Sequence, residues 1–284
     1  MEWSVFLDCQ SLTRIAIPAA VTTIGSDSFA CCPSLTEIVV DPNNTVYCDN
    51  DGVLFNKNQT VLLAYPNARA ASYTIPDSVT SIGNHAFMGC SDLTSVRLPD
   101  CVNEIGDYAF YGCSSLTSLR IPDSVSDIRA LAFCECSSLK YINLPAGLTG
   151  VQYGAFCECS SLTRFNIPST VTIIAPYAFS DCTSLTQIRI PGGVTDIQFG
   201  AFAACTSLTD IYYTGTAAQW TAVQIDNEDG DNSDLLSANL HPIDTEPGAL
   251  VVSNLAFLCD VLIDAMRALD SVYLSAPESS AAAE

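Results

Sequence analysis

Residues 108–145, YAFYGCSSLTSLRIPDSVSDIRALAFCECSSLKYINLP, carry one phrase twice. Phe110, Cys113, Leu116, Leu119 and Ile121 return as Phe133, Cys136, Leu139, Ile142 and Leu144, each 23 residues further on. Extended in both directions, the register gathers Phe6, Phe29, Phe87, Phe110, Phe133, Phe156, Phe179 and Phe202 into one column. Every step is 23 residues except one of 58, which is 23 plus 35. Cys9, Cys32, Cys90, Cys113, Cys136, Cys159, Cys182 and Cys205 follow each Phe by three. An L-x-x-L-x-L phrase comes next, then usually a Pro, then V-x-x-I.

A period of 20–29 residues carrying L-x-x-L-x-L is the pattern of a leucine-rich repeat solenoid. One repeat cannot bury its own apolar side chains, whereas stacked repeats share them in a continuous core. The last two apolar positions of the phrase alternate with polar ones, which is strand periodicity. The reading is a curved right-handed coil with a parallel β-sheet on its concave face, an α/β-class superfold carried here mostly by strand and loop. Proline, which has no N–H to donate, ends each strand, and V-x-x-I is expected to form a second short extended piece opposite. Eight clear phrases start at Leu12, Leu35, Leu93, Leu116, Leu139, Leu162, Leu185 and Leu208, and Ala70, Tyr73 and Ile75 mark a degenerate ninth. The extra 35 residues fall at about 41–70, where GVLF and TVLLAY flank the polar turn NKNQ, so a projecting β-hairpin is expected there.

The domain reading is a solenoid over residues 1–225, closed by a cap at about 211–225 with Trp220 over the last apolar layer. An acidic polar linker follows at 226–249, then an amphipathic helix at 250–274 and a disordered tail at 275–284. Leu255, Leu258, Leu262, Met266 and Leu269 recur at helical intervals. That helix either docks on the solenoid or mediates self-association.

The formal charge is −21. Nucleic acid is excluded as a partner, because duplex binding relies on Lys and Arg to displace counterions, and an anionic membrane is disfavoured likewise. No run of 18 apolar residues would make a transmembrane segment, and MEWSVFLDCQ has no basic n-region or apolar core of a signal peptide. The chain opens inside a repeat, at Phe6, so either a segment is missing or Trp3 and Val5 act as a cap. The two histidines, His85 and His241, are placed at a surface turn and in the closing segment. No recurring carboxylate pair or phosphate loop appears, and the protein reads as non-enzymatic with no cofactor. The loop 226–234, DNEDGDNSD, misses the calcium-loop frame because Gly230 comes one place early, so it reads as a solvated acidic loop.

The eight column cysteines read as buried reduced thiols acting as small apolar residues. The CEC pairs, Cys134/Cys136 and Cys157/Cys159, are stacked one repeat apart. Cys134 and Cys157 could form a rung-to-rung disulfide, and a zinc site from all four is a further alternative.

The combination AF--C-SLT-I-IP--VT-IG resembles the BspA-like leucine-rich repeat family of bacterial surface proteins. DGVLFNKNQTVLLAYP and IYYTGTAAQW look like recurrent segments of that family. The resemblance covers roughly residues 3–225. It implies a secreted or cell-surface protein, in several cases an adhesin, whereas the missing export signal points to a cytoplasmic alternative.

The residues flanking the middle apolar position of each strand should face out from the sheet. Among them are Arg14, Arg97, Arg120, Tyr141, Asn143, Arg164, Asn166, Arg189 and Tyr212. Five of the nine bases in residues 1–225 lie on this face, with Arg97, Arg120 and Arg189 in one column. One reading is that long Arg stems merely cover sheet surface. The other is a binding face for an acidic protein or an anionic glycan, since Arg and Tyr are common interface anchors. The function expected is non-enzymatic adhesion-type partner binding, with an intracellular or structural scaffold as the alternative.

Overall fold

The computed structural model describes residues 4–228 and 231–242. The expected helix at 250–274 and tail at 275–284 lie outside the described residues. Within them the chain is a β-solenoid whose rungs repeat the phrase. The L-x-x-L-x-L strands, from Arg14–Ile17 to Asp210–Tyr213, form the first face. All their pairings are parallel, and apart from the closing strand each residue sits beside the one 23 further on, as in Arg164↔Gln187↔Asp210. The V-x-x-I segments form the second face, through two-residue strands such as Glu104–Ile105 and Asp196–Ile197. Between the two, the carbonyl of each proline accepts the N–H of the Val or Leu three residues later, at 3.0–3.3 Å for Pro76, Pro99, Pro122 and Pro145. Proline thus ends the strand and closes the turn that starts the next side.

The third side is the Phe turn, and it is hydrogen-bonded from rung to rung. The N–H groups of Phe87, Phe110, Phe133, Phe156 and Phe179 donate to the carbonyls of Ala109, Ala132, Ala155, Ala178 and Ala201, at 2.8–2.9 Å. The column thiols do more than fill space. Cys113, Cys136, Cys159, Cys182 and Cys205 point their sulfurs at the Phe carbonyl of the rung before, at 3.1–3.3 Å. Inside, the Phe rings stack nearly parallel, with centroids 4.8–5.6 Å apart from Phe87 to Phe202, which buries their apolar area and adds ring–ring attraction.

This turn demands an unusual backbone. The residue two after each Phe has positive φ in all eight rungs: Asp8, Cys31, Gly89, Gly112, Glu135, Glu158, Asp181 and Ala204. The residue two before does so in seven of them. Glycine adopts that conformation without penalty, and every other residue here pays for its Cβ.

The expected hairpin forms, with Val53–Asn56 and Val61–Ala64 paired antiparallel, but it packs into the solenoid instead of projecting from it. Tyr47–Asn50, Val53–Asn56 and Val61–Ala64 pair antiparallel, and Val61–Ala64 then pairs parallel with Ser81–Ile82 at the head of the second face. Its apolar residues keep it there, since Leu54, Phe55 and Leu62 are fully buried. The missing Phe of the degenerate rung is replaced by Tyr65, whose ring lies 5.1 Å from that of Phe87 and whose N–H bonds the Ala86 carbonyl. Asn67 accepts from the Cys32 N–H and donates to the Met88 carbonyl and the Cys90 sulfur.

The solenoid also runs past residue 225. Gln224–Ile225 extends the second face, a short helix Ser233–Ser237 buries Leu235, and Asn239–Pro242 adds a parallel strand beside Asp210–Tyr213. Trp220 packs edge-on against Tyr213, with centroids 5.0 Å apart. Among the described residues no further Phe turn follows that of Phe202, and the fully buried Asn232 takes the place of its partner. Its side chain accepts the Phe202 N–H at 2.9 Å and donates to the Gln198 and Asp226 carbonyls.

Two stability predictions follow from these turns. Ala204→Gly should raise the unfolding free energy by about 0.5–1 kcal/mol in a denaturant titration, because glycine releases the left-handed strain by more than its extra unfolded-state entropy costs. Asn232→Ala should lower it by about 1–3 kcal/mol, because it leaves the buried Phe202 N–H without its acceptor.

Candidate binding face

Outward positions of the first face carry polar side chains because alternate residues of a strand point to opposite sides. The N-terminal bases are partly neutralised in place. Arg14 pairs with Glu37 at 2.5 Å and Arg120 with Asp100 at 3.0 Å, both in solvent. Arg97 is exposed. Asn143 is engaged with the backbone: its amide accepts from the Ile121 N–H and donates to the Ile121 carbonyl, each at 3.0 Å. It completes a ladder that the two-residue strands Ser118–Leu119 and Tyr141–Ile142 leave short. Tyr141 beside it is half-buried, which raises its hydroxyl pKa.

The remaining candidates come together on the four-stranded sheet at the C-terminal end. Register places Asn166, Arg189, Tyr212 and His241 in one row, and Arg164, Gln187, Asp210 and Asn239 in the next. Adjacent strands lie about 4.8 Å apart, so each row is a short line of side chains across the rungs. The His241 ring stacks on Tyr212, with centroids 5.0 Å apart and planes 17° apart. His241 Nε2 lies 2.8 Å from Asp210 Oδ1, and the Thr209 hydroxyl donates to the other oxygen at 2.8 Å. Burial opposes ionisation of Asp210, but these hydrogen bonds prevail and hold its carboxyl below the usual range. Burial raises the Tyr212 hydroxyl pKa, with a further push from Asp210.

Arg189 sits in the middle of its row. Burial pushes its pKa down, and its Nε is enclosed without a hydrogen-bond partner. The Oδ1 of neighbouring Asn166 is likewise enclosed and unpartnered. Arg14, Arg69, Arg120 and Arg129, by contrast, each pair with a carboxylate. His241 joins this site from a strand whose pairing offset is 29 residues instead of 23. The period therefore hides it, and only the apolar Leu240 beside it hints at a further strand.

The cysteines divide by position. Cys134 and Cys157 are joined by a disulfide with Cα atoms 4.6 Å apart. Cys136 and Cys159 point inward and bond the carbonyls of Phe110 and Phe133. The four sulfurs therefore do not converge as zinc would require, and among the described residues no group of three or more ligating side chains could hold a metal ion. Burial raises the thiol pKa of Cys136 and Cys205 to about 12. That is the opposite of the lowered pKa an activated nucleophile needs. No described helix is long and apolar enough to cross a membrane.

The chain belongs to the BspA-type leucine-rich repeat family: six copies of the BspA type Leucine rich repeat region match residues 1–58, 63–185 and 103–222. Among solved structures, it is similar to a leucine-rich repeat protein from Eubacterium ventriosum at 33% identity and a TM-score of 0.66, covering 70% of this chain and 54% of that one. A leucine rich cell surface protein from Faecalibacterium prausnitzii is 34% identical with a TM-score of 0.55, covering 76% of this chain and 52% of that one. The pneumococcal vaccine antigen PcpA shares the fold at 20% identity and a TM-score of 0.54, over 86% and 54%. The chain thus spans about half the length of these structures. No curated protein matches it. The family supports a protein-interaction or repeat-scaffold role in general, and its fold is generally non-enzymatic.

The disulfide closes a loop of 23 residues between adjacent rungs. Replacing Cys134 and Cys157 together by alanine should lower the unfolding free energy by about 2–4 kcal/mol. A reductant should lower the melting temperature of the wild-type protein and leave that of the variant unchanged.

Proposed function

We propose that the protein is a non-enzymatic binding module whose first face, at its C-terminal end, holds a carboxylate-bearing segment of a protein partner. The observation that carries the reading is Arg189, a half-buried guanidinium with no carboxylate of its own, set between Asn166 and Tyr212. A desolvated arginine has lost water contacts that a bidentate carboxylate replaces well. Asn166, Tyr212 and His241 supply polar atoms and ring surface in the same row, with Arg164 one row away. Arg14 and Arg120 already have acids, so the full arginine column expected from the sequence contracts to its C-terminal members, with Arg97 outlying.

Secretion or display at the cell surface accords with this reading. A disulfide between Cys134 and Cys157 forms and persists in an oxidising compartment, and the similar Faecalibacterium protein is described as a cell surface protein.

The test is a titration with a fluorescent oligoglutamate peptide, alongside a display of extracellular proteins and anionic glycans. Arg189→Glu should weaken peptide binding by at least about tenfold, as expected when one partner of a buried charge-assisted pair is reversed. Arg120→Glu should change it by less than about threefold, because that arginine is solvent-exposed and already paired. Equal losses in the two variants, or no binding by the wild type, would overturn the assignment. Binding confined to anionic glycans would replace the protein partner with a sugar.

A further inference from the structure

The Phe turns carry a second surface, independent of the sheet face. Phe itself points inward, so the residues two or three before it and two after it line the outer edge. On five successive rungs the leading position holds Tyr108, Leu131, Tyr153, Tyr177 and Phe199. The series shifts by one place wherever the usual position is glycine. A Cβ on Gly154 would come within 2.7 Å of the Leu131 side chain, and one on Gly200 within 2.8 Å of the Tyr177 ring. The glycines therefore make room for the neighbouring rung's side chain, and Tyr153 and Phe199 continue the ridge from one residue earlier. Tyr153 is 46% exposed. The rings meet edge to face: Tyr153 and Tyr177 are 5.8 Å apart at 79°, and Tyr177 and Phe199 are 5.4 Å apart at 84°. Perpendicular rings make a stepped ridge instead of one flat platform, and at its N-terminal end the His85 ring stacks on Tyr108, with centroids 5.0 Å apart.

The trailing position of the same turns is acidic. Glu135, Glu158 and Asp181 occupy it on three consecutive rungs. Tyr111 links the two lines, since its hydroxyl donates to Glu135 Oε1 and its ring lies 5.7 Å from that of Tyr108. Burial, together with Glu135 and Asp181, raises the Glu158 pKa. From residue 84 to residue 204, the six turn segments NHAFMG, DYAFYG, ALAFCE, YGAFCE, PYAFSD and FGAFAA contain no Lys or Arg.

We propose that this edge binds an extended Lys- and Arg-rich segment of a partner protein. Cations are attracted to the faces of tyrosine rings, and the carboxylates beside them supply the opposite charge. Perpendicular rings favour cations over a sugar chain, which needs ring faces turned the same way. Five rungs at about 4.8 Å extend roughly 20 Å, the reach of about six extended residues. The chain's own C-terminal segment cannot be the occupant, because residues 226–284 hold a single base, Arg267.

The experiment uses the full chain and a fluorescent nonapeptide of alternating Lys and Arg, followed by anisotropy at low and at physiological salt. An equal-length Gln peptide and a neutral β-glucan oligosaccharide are the comparison probes. The cationic peptide should bind, and the Gln peptide and oligosaccharide should not. Tyr153→Ala with Tyr177→Ala should weaken binding about tenfold, the effect of two lost cation–π contacts. Glu135→Gln with Glu158→Gln and Asp181→Asn should weaken it at least as much. Asp77→Asn with Asp92→Asn and Asp123→Asn removes the same charge elsewhere and should change it by less than about twofold. Tyr153→Ser alone, at an exposed position, should still weaken binding about threefold with an unchanged melting temperature, which keeps the test intact should the double variant unfold. Failure of the cationic peptide to bind at low salt overturns the proposal. So does an equal loss from the two acidic triples, or binding that survives removal of the rings. Tyrosine-dependent binding of the oligosaccharide alone would reassign the edge to glycans.

Discussion

Each Phe turn leans on the one after it. The phenylalanine N–H finds its acceptor on the following rung, the phenylalanine carbonyl takes a thiol from that rung, and the ring stacks on its neighbour's ring. None of the three interactions exists within one repeat. The turn needs two left-handed residues around the Phe, so an isolated repeat would carry the strain and none of the compensation. The solenoid is therefore stable as a sum of neighbour contacts. The column cysteine also gains a reason beyond size. Alanine would fill much of the space, but only a donor can answer the buried Phe carbonyl, and serine would bury a more strongly hydrated group.

Where the hydrogen-bond ladder between rungs is interrupted, asparagine completes it. Asn67 bridges the rungs around the insertion, Asn143 completes a short strand pair, and Asn232 takes the partner's place at Phe202. A side-chain amide carries one donor group and one acceptor, so it can imitate a peptide unit. The cost of an unpaired buried N–H or carbonyl explains why such substitutes sit at these places.

The period made most of the fold legible. The Phe, Cys, Leu, Pro and Val columns mark the three sides of the rung, and the 58-residue step locates the insertion. What stayed hidden does not obey the period. Tyr65 follows 22 residues before Phe87, the closing strand pairs at an offset of 29, and Asn232 belongs to no column. The hairpin of the insertion was legible, but its packing was not, because alternation gives strands without saying that Leu54, Phe55 and Leu62 have a core to enter. For the sheet face, the sequence supplies residues that point outward. It does not show that Asn143 is occupied by backbone, that Arg14 and Arg120 have acids, or that Arg189 is enclosed. The aromatic ridge was readable in principle, from the positions before each Phe, but its shift at Gly154 and Gly200 splits it between two columns.

Repetition also explains how one small chain can hold chemically opposite surfaces. Column position decides which way a side chain points, and rung number decides how far along it lies. Base-rich positions on the strand and acid-rich positions on the Phe turn are consequently kept on different sides, and the turn residues that intervene hold them apart. Both surfaces gain reach by adding rungs instead of rearranging a pocket. In each case the side chains are presented from short strands or hydrogen-bonded turns, so little conformational freedom remains to be lost when a partner binds. A rigid row of modest contacts suits an extended partner segment, since its affinity grows with the number of rungs engaged.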